Sequence, residues 1–330
     1  MSFWTNNPCV PTWTEFFQSY LYSRPAKLID PRPSAKAIPP FPRYSGLSLR
    51  RAMPEDILQL PTLWGRWYST SKSARCVVPL AHIQKCAAAG KWDILVCVKG
   101  DGEVVGTLAR RWIEGLHMRE VRWPKAAVID YFCIHPAYRN KGIGRSLLSL
   151  LHNTTTAAGI VPPHLMMWEG IHPSIPPISV GLYAYKKCLP VGGFQAEKLE
   201  GVAAREAWVE LQRENTIHSD YSPSAEETSV WRLWPSVPSG PSGPSGPYRH
   251  VAIWNTFHRS VPEGLLMGIV VGGSAEAADA FSSASGHPFG ILLATWPFSL
   301  SGWHIDSPYQ WVSYNMQVGF INTQFPGLCL

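Results

Sequence analysis

The residues with the clearest chemical pattern form a basic, glycine-containing turn between an apolar stretch and a predicted helix. The apolar stretch spans residues 126–135 and the helix spans residues 143–152. The turn and the start of the helix consist of Arg139, Asn140, Lys141, Gly142, Ile143, Gly144 and Arg145. The first turn of a helix exposes N–H groups and a partial positive charge, and glycine lets a phosphate approach the backbone closely. The pattern therefore predicts a site for the pyrophosphate of a cofactor, with basic side chains around it.

The elements before this turn indicate which class of cofactor fits. Residues 92–99 and 103–112 are rich in β-forming side chains and flank Gly100-Asp101-Gly102, which predicts a hairpin. A dinucleotide-binding turn belongs to a β-α-β unit, so a preceding hairpin disfavours a dinucleotide. The other alternative is a solvated basic turn without a ligand, and the position after a hairpin and an apolar strand disfavours that as well.

The remaining elements of this part predict an α+β fold. Helices are predicted at residues 54–67 and 79–89, because Pro54 is followed by two acidic residues and Gly90 ends the second helix. Short strands are predicted near residues 49–52 and 165–168. This mixture of helices and strands indicates a mixed sheet flanked by helices.

The composition along the chain divides it into four segments. Residues 1–43 are rich in proline and aromatic residues and predict an extended N-terminal arm, and residues 44–214 form the domain that carries the turn. Residues 215–247 are polar and end in a repeated Pro-Ser-Gly unit, which predicts a flexible linker. Residues 248–330 form a shorter second half.

The second half has its own pattern of strands and helices. Strands are predicted at residues 251–257, 265–271 and 291–296, and an alanine-rich helix is predicted at residues 274–285. Residues 183–194 and residues 314–320 contain a similar tyrosine-containing pattern that ends in Gly-Phe. Each of these two segments is predicted to be helix, turn and strand.

Charge and cysteine usage limit the function classes. The net charge of +6 favours an anionic partner only weakly, and the tryptophans of the second half have no basic run beside them, so no nucleic-acid partner is expected. The seven cysteines form no CxxC pair and no metal-like spacing with histidine, which predicts reduced thiols and no metal. No signal peptide and no apolar run long enough to span a bilayer are found. A monomeric cytoplasmic protein is expected.

The turn resembles the Arg-x-x-Gly-x-Gly turn of the GNAT acyltransferases, and the resemblance covers roughly residues 47–195. It implies that an acyl-CoA pyrophosphate lies on residues 139–145, and that the strand before the turn splays from its neighbour to admit the pantetheine arm. It also offers Tyr185 as an acid for the CoA thiolate, or alternatively as a packed tyrosine.

A closer resemblance is to the N-myristoyltransferases. It rests on five segments in the same order as in that family, and it implies a GNAT-like mixed sheet with a second, degenerate GNAT-like half. The segments are Phe3-Trp4-Thr5-Asn6-Asn7-Pro8-Cys9-Val10-Pro11, the hairpin with Trp92 and Val104-Val105-Gly106, Ile129-Asp130-Tyr131-Phe132-Cys133-Ile134-His135 with the turn after it, Leu182-Tyr183-Ala184-Tyr185-Lys186-Lys187-Cys188-Leu189, and Gly327-Leu328-Cys329-Leu330.

This resemblance implies roles for individual residues. The backbone amides of Tyr131 and Phe132 would polarise the thioester carbonyl, and the carboxylate of Leu330 would be the general base. Myristoyl-CoA would be the acyl donor, and the acceptor would be the N-terminal glycine amine of a peptide or protein. The residues implied to contact the acyl-CoA, besides those of the turn, are Phe3, Trp4, Cys133 and Ile134.

The sequence also departs from that family. Asp130 stands where the family has asparagine, Met167-Trp168-Glu169-Gly170 replaces Tyr-Thr-Ala-Gly, and the second half is short. Two alternatives therefore stay open. One is an acetyltransferase that uses acetyl-CoA on a small amine or a protein, and the other is a catalytically inactive GNAT-fold scaffold.

Overall fold

The computed structural model describes most of the chain. The described residues are 12–22, 24–29, 46–68, 74–118, 120–156, 162–170, 175–187, 193–213, 217–220, 224–236, 249–260, 266–273, 275–284, 289–295 and 304–318. The helices among them are α1 (Trp13–Leu21), α2 (Pro54–Ile57), α3 (Leu60–Trp67), α4 (Leu80–Ala88), α5 (Ile143–Thr156), α6 (Gly201–Arg213) and α7 (Ala275–Ala284).

The strands outnumber these helices among the described residues. They are β1 (Lys27–Leu28), β2 (Leu47–Arg51), β3 (Ala74–Cys76), β4 (Trp92–Lys99), β5 (Val104–Met118), β6 (Val121–Ile134), β7 (His164–Glu169), β8 (Ser179–Lys187), β9 (Phe194–Leu199), β10 (Ile217–Ser219), β11 (Thr228–Pro235), β12 (Arg249–Ser260), β13 (Leu266–Gly272), β14 (Phe289–Thr295), β15 (His304–Tyr314) and β16 (Met316–Gln317).

One mixed sheet runs through both halves. Its strand order is β2-β4-β5-β6-β7-β15-β8-β14-β13-β12-β11-β9, with β10 paired to β5 and β3 paired to β12. The pairs β6–β7 and β13–β14 are parallel, and a helix connects the two strands of each pair, α5 in the first and α7 in the second. This repetition of strand, helix and parallel strand gives the second half its GNAT-like character. The predicted α+β fold with a mixed sheet flanked by helices is confirmed.

Helices cover both faces of the sheet around β4–β6. On one face, α5 buries Ile143, Leu147 and Leu151 against a cluster that includes Leu95 and Leu108. Their spacing of four residues places these side chains on one side of the helix. On the other face, α3 and α4 pack their apolar side chains against the same strands. The strand β6 is therefore held between two helical layers, which fixes the turn that follows it.

The first predicted helix is interrupted. The prediction had one helix over residues 54–67, whereas the structure has α2 and α3 with a break at Leu58-Gln59. Pro61 lies in the first turn of α3, where its missing N–H causes no loss. A continuous helix would bring the Pro61 ring against the carbonyl group of Ile57, so the helix restarts.

Two expectations about segments of the chain are also corrected. The predicted extended arm includes α1, where Thr12 and Glu15 form a reciprocal capping box with N···O distances of 3.2 and 2.8 Å. The predicted linker contains β10 and β11, because apolar residues in both strands are buried in the sheet, and residues 237–248 with the Pro-Ser-Gly repeats lie outside the described residues. The division into domains itself stays a prediction.

The described residues of the two tyrosine-containing segments form strands where helices were predicted. Residues 183–187 belong to β8, Tyr314 ends β15, and Met316–Gln317 form β16. β8 lies between β15 and β14 and is hydrogen-bonded on both sides, so pairing with distant strands overrides the local helix-like pattern. Among the described residues, no helix combines the length and apolar character needed to cross a membrane.

Candidate functional site

The turn between β6 and α5 has an unusual backbone that its sequence permits. Pro136–Tyr138 forms one turn of 3-10 helix, and His135 Nδ1 accepts a hydrogen bond from the Ala137 N–H at 3.2 Å. Asn140 and Gly142 then adopt left-handed φ values of +61° and +79°. Asparagine and glycine tolerate this conformation better than other residues. The chain thereby reverses direction and enters α5 directly from the end of β6.

The start of α5 presents backbone donors. The first bond of the helix joins the Ser146 N–H to the Gly142 carbonyl at 3.1 Å. The N–H groups of Ile143, Gly144 and Arg145 precede that bond, and groups at this position of a helix have no acceptor within the helix. Such groups, with the positive end of the helix dipole, bind phosphate.

The basic residues of the turn have different roles. Arg139 donates from Nε to the Ile134 carbonyl at 3.0 Å and from Nη2 to the Trp67 carbonyl at 3.2 Å. The Arg139 side chain therefore fastens the turn to β6 and α3, which differs from the expectation that its charge faces the phosphates. The Lys141 ammonium lies 4.9 Å from the centre of the Tyr138 ring, and Arg145 is exposed at the start of the helix.

Gly144 has a packing role that the sequence pattern did not show. A Cβ atom at this position would lie 2.9 Å from Phe132 Cζ and 3.2 Å from Ile134 Cδ1. The absence of a side chain at Gly144 lets the first turn of α5 lie directly on β6. Phe132, one of the two predicted amide donors, and Ile134, a predicted cofactor-site residue, are thus brought against the helix terminus.

The strands β6 and β7 separate beside this terminus. They pair only from Ala127 with His164 to Ile129 with Met166, although β6 continues to Ile134 and β7 continues to Glu169. Beyond that point, β7 remains paired with β15 as far as Glu169 with Tyr309. The two strands therefore splay apart at the level of the turn. The opening can admit an extended arm such as pantetheine between backbone edges.

A bulge in β6 lies at the base of this opening. Tyr131 and Phe132 together face Leu108 of β5, because the register shifts between Thr107 with Cys133 and Ala109 with Asp130. Tyr131 has a φ of +48°, which is rare for an aromatic residue. The bulge turns backbone groups of β6 out of the regular ladder, at the two residues for which the resemblance implied amide donors.

The Tyr131 amide already has an acceptor within the chain. Its N–H donates to Asp130 Oδ1 at 2.8 Å. A thioester oxygen would have to replace that carboxylate oxygen, so Tyr131 does not present its amide in the way that the resemblance implied. Phe132, the next residue of the bulge, is half-buried against Gly144.

Asp130 is the centre of a buried polar network. Its Oδ2 accepts a hydrogen bond from Arg111 Nε at 3.0 Å, and its Oδ1 also accepts one from the Tyr68 hydroxyl at 2.6 Å. The Arg111 and Asp130 side chains are both less than a tenth exposed. Burial and the Asp130 charge raise the pKa of Tyr68 well above its usual value, so its hydroxyl stays a donor. The negative charge that the sequence placed beside the site is therefore paired.

An aromatic layer supports the other side of the bulge. The Tyr131 ring stacks on Trp64 with centroids 4.2 Å apart, and Trp92 lies 5.1 Å from Tyr131. Trp64 Nε1 donates to Thr107 Oγ1 at 2.9 Å, and Thr107 Oγ1 donates to the Tyr131 carbonyl at 2.8 Å. No sequence pattern distinguishes Trp64 or Thr107 from other core residues. The two residues are 43 positions apart in sequence, and only the fold brings them together.

Cys133 and Ile134 occupy the end of β6. Cys133 is buried, and burial raises its pKa to about 12, so its thiol is an inert core group. Its Sγ lies 3.8 Å from the Leu63 carbonyl oxygen, on the side of α3. Ile134 instead packs against Gly144. Of this predicted pair, the Ile134 side chain lies at the helix terminus and the Cys133 side chain points to the core.

Three of the predicted residues lie outside the described residues, and a fourth lies away from the bulge. Phe3, Trp4 and Leu330 lie outside the described residues. Tyr185 belongs to β8, where its backbone pairs with His304 and Ile291. Two strands, β7 and β15, separate β8 from β6 in the sheet, so the sheet does not bring Tyr185 beside the bulge.

Comparisons with known proteins agree with this geometry. Residues 62–160 match the profile of the Acetyltransferase (GNAT) family. No curated protein sequence matches the chain.

The whole fold is similar to that of N-myristoyltransferase from Saccharomyces cerevisiae. A structure of that enzyme with bound myristoyl-CoA has a TM-score of 0.64 at 10% identity, and the match covers 96% of this chain and 93% of that chain. A further structure of it with bound myristoyl-CoA has a TM-score of 0.63 at 9% identity, with 90% and 84% covered. At such identities the likeness shows that this chain has the same overall fold.

Proposed function

We propose that this chain transfers a myristoyl group from myristoyl-CoA to the N-terminal glycine amine of a peptide or protein. The observation that carries the proposal is the opening between β6 and β7, with a backbone bulge at its base and the first turn of α5 at its mouth. The likeness to the yeast enzyme over both halves of the chain supports the choice of a long acyl chain and a peptide acceptor.

Each part of the opening has a role in this proposal. The amides of Ile143 and Gly144 and the charges of Lys141 and Arg145 hold the phosphates of the donor. The pantetheine arm extends along the free edge of β6, and the thioester carbonyl reaches the bulge at Phe132. Donors fixed before the reaction stabilise the oxyanion without reorganisation.

The reaction at the bulge is an acyl transfer. The amine nitrogen attacks the thioester carbon, a C–N bond forms, and the C–S bond breaks when the tetrahedral intermediate collapses and releases the CoA thiolate. The amine proton passes to a base. The base implied by the resemblance, the Leu330 carboxylate, lies outside the described residues and stays a prediction.

A second candidate, transfer of an acetyl group, is favoured by one observation. The Trp64 and Trp92 side chains are almost completely buried and fill the side of the sheet below Tyr131. These two rings occupy the space on that side of the bulge, so a short acyl group fits there more easily than a myristoyl chain.

The chain length of the donor separates the two candidates. A myristoyl group has about twelve more methylenes than an acetyl group, and burying each is worth about 0.8 kcal/mol, so full burial would favour myristoyl-CoA by up to about 10 kcal/mol. Even a small part of that difference is measurable by calorimetry. We expect myristoyl-CoA to bind at least about 100-fold more tightly than acetyl-CoA.

The transfer itself is tested with labelled myristoyl-CoA and a peptide that begins with glycine, and the same peptide with an acetylated amine is the control. Label on the free-amine peptide alone supports the proposal. Equal affinity for the two donors with acetyl transfer would establish the second candidate. Tight binding of myristoyl-CoA without transfer to any amine would indicate an inactive scaffold.

A matched pair of variants tests the phosphate site. Lys141→Ala with Arg145→Ala should weaken acyl-CoA binding at least about tenfold, and less so at high salt, because the lost contacts are screened charges. Lys91→Ala with Lys198→Ala removes the same charge from exposed positions elsewhere and should leave the affinity unchanged. Equal losses in both double variants would argue against the turn as the phosphate site.

A further inference from the structure

Three donor side chains meet in the core on the α4 side of the sheet. His82 and Cys86 are four residues apart on α4 and lie on the same side of that helix. Glu227 precedes β11 and comes from a part of the chain more than a hundred residues away. All three residues are buried, with exposures of 4%, 6% and 5%. Buried side chains of this type occur in paired or metal-bound sets.

The donor atoms converge on one point. His82 Nε2 lies 3.4 Å from Cys86 Sγ and 3.3 Å from Glu227 Oε1. The three donor atoms all lie within 4.8 Å of one another. For a tetrahedral zinc ion with bonds of about 2.3 Å to sulfur and about 2.0–2.1 Å to nitrogen and oxygen, neighbouring ligand atoms are about 3.3–3.5 Å apart. The observed separations from the imidazole nitrogen match that value.

The same convergence disfavours a nucleophilic triad. In such a triad, the cysteine contacts one imidazole nitrogen and the carboxylate contacts the other. The imidazole then takes the proton of the thiol while the carboxylate orients the ring. Here both the thiol and the carboxylate approach Nε2 of His82. Without an ion, a proton on that nitrogen is shared between them, and the hydrogen bonds to Cys86 and Glu227 raise the pKa of His82 to about 9.

We propose that His82, Cys86 and Glu227 form a Zn²⁺ site, with a solvent molecule as the fourth ligand. Three protein ligands and one open position are a common zinc arrangement. A neighbour orients one of the ligands, because Glu227 Oε2 accepts the Ser224 N–H at 3.0 Å. A Glu226 carboxylate oxygen lies 3.9 Å from His82 Nδ1, so the charge beside the imidazole is negative. Partners of this kind orient metal ligands and tune their affinity.

The position of the site indicates what the ion does. The His82 ring contacts Trp92 edge-on at 5.3 Å, and Trp92 in turn contacts Tyr131. The ion would join α4 to the segment before β11, and it would therefore brace the aromatic layer that supports the bulge. The ion would stabilise the bulge through this aromatic layer, and it would contact neither the donor nor the acceptor of the proposed acyl transfer.

The test uses the full chain after removal of metal by chelator and dialysis. Titration with Zn²⁺ by calorimetry should give one equivalent bound per chain, and the melting temperature should rise with bound zinc. Titration with Co²⁺ should give the visible bands of a tetrahedral ion and a sulfur-to-cobalt charge-transfer band from one thiolate. These readouts are independent of acyl transfer, so a failure of the proposed function leaves them unaffected.

Variants identify the ligands. Glu227→Gln and Cys86→Ala should each weaken zinc binding by more than the about 10–100-fold that loss of a ligand-orienting partner costs. Cys76→Ala removes another buried thiol on the same face of the sheet and should bind zinc like the wild type. If Cys86→Ala does not fold, the charge-transfer band of the wild type still decides.

Two results would overturn the proposal. One is a wild-type chain that binds well below one equivalent of zinc or that gives a cobalt spectrum without the thiolate band. The other is a folded Glu227→Gln or Cys86→Ala variant with wild-type zinc affinity, since the ion would then be bound elsewhere.

Discussion

The buried pair of Asp130 and Arg111 makes the most informative perturbation, because it ties the bulge of β6 to β5. Asp130→Asn removes the charge and keeps the size of the side chain. The amide oxygen of the substituted side chain could still accept the Tyr131 N–H, but the Arg111 guanidinium would lose the carboxylate oxygen that lies 3.0 Å from its Nε. The variant therefore tests the ion pair separately from the backbone contact.

The size of the effect follows from the burial of both partners. Removal of one member of a buried ion pair costs about 3–5 kcal/mol, since the other charge stays desolvated. Arg111 has further interactions, so the lower end, about 3 kcal/mol, is expected. With an unfolding entropy of about 2.1 cal/mol/K for each of the 330 residues, 3 kcal/mol corresponds to a fall of about 4 °C in the melting temperature.

Thermal melts followed by circular dichroism measure this fall. Arg111→Met combined with Asp130→Asn completes a double-mutant cycle and should recover part of the loss, because an apolar side chain replaces the stranded charge. Asp220→Asn is the matched control. Its pair with Arg122 is about half exposed, so its loss should stay below about 1 kcal/mol. Equal melting temperatures for Asp130→Asn and the wild type would refute the reasoning.

Two further predictions concern Gly144 and His164. Gly144→Val should weaken acyl-CoA binding about tenfold and lower stability by about 1–3 kcal/mol, because a side chain there meets Phe132 at 2.9 Å. Calorimetry and melting measure the two effects. Gly100→Val is the control and should leave the affinity unchanged, because a Cβ atom at Gly100 would lie no closer than 4.0 Å to its nearest neighbour. His164 donates from Nδ1 to the Pro162 carbonyl at 2.8 Å, and burial, with a smaller contribution from the Arg110 charge, lowers its pKa to about 3. The folded state thus keeps His164 neutral, while the unfolded chain binds a proton at this residue below pH ~6.5. The contribution of neutral His164 to the free energy of unfolding is therefore complete above that pH. It is lost as the pH falls toward 3, by ~1.4 kcal/mol per pH unit. Between pH 7 and pH 4.5, the free energy of unfolding measured with urea should fall by about 2.7 kcal/mol more for the wild type than for His164→Gln. Equal falls for the two proteins would contradict the lowered pKa of His164.

The parts of the fold that the sequence predicted are those determined by neighbouring residues. The hairpin of β4 and β5, the passage from β6 through the turn to α5, and the order of β13, α7 and β14 all follow from local patterns. In each of these cases the turn residues, the apolar periodicity and the tertiary pairing favour the same structure. The position of the helix terminus at Gly142–Arg145 was therefore predictable, and its role in binding phosphate stays a prediction.

The parts that were not predicted depend on distant partners. β8 is a strand because β14 and β15 pair with its two edges. Both partner strands lie about a hundred residues further along the chain, so the sequence pattern of residues 183–187 alone does not indicate them. Likewise, Arg139 carries a charge that looks suited to phosphate, but the carbonyls of Ile134 and Trp67 take its donors. A sequence pattern gives the type of a side chain, and the fold decides which acceptor it reaches first.

The bulge of β6 shows how these two levels combine. Its strained residue, Tyr131, is held through three separate groups: the amide by Asp130, the carbonyl by Thr107 and the ring by Trp64. A left-handed aromatic residue persists only where surrounding contacts determine it in this way. The bulge lies next to the opening, because the register shift comes just past the point where β6 separates from β7. The residues that surround the bulge thus hold the opening in which the proposed acyl transfer takes place, and none of them needs to touch the acyl donor to do so.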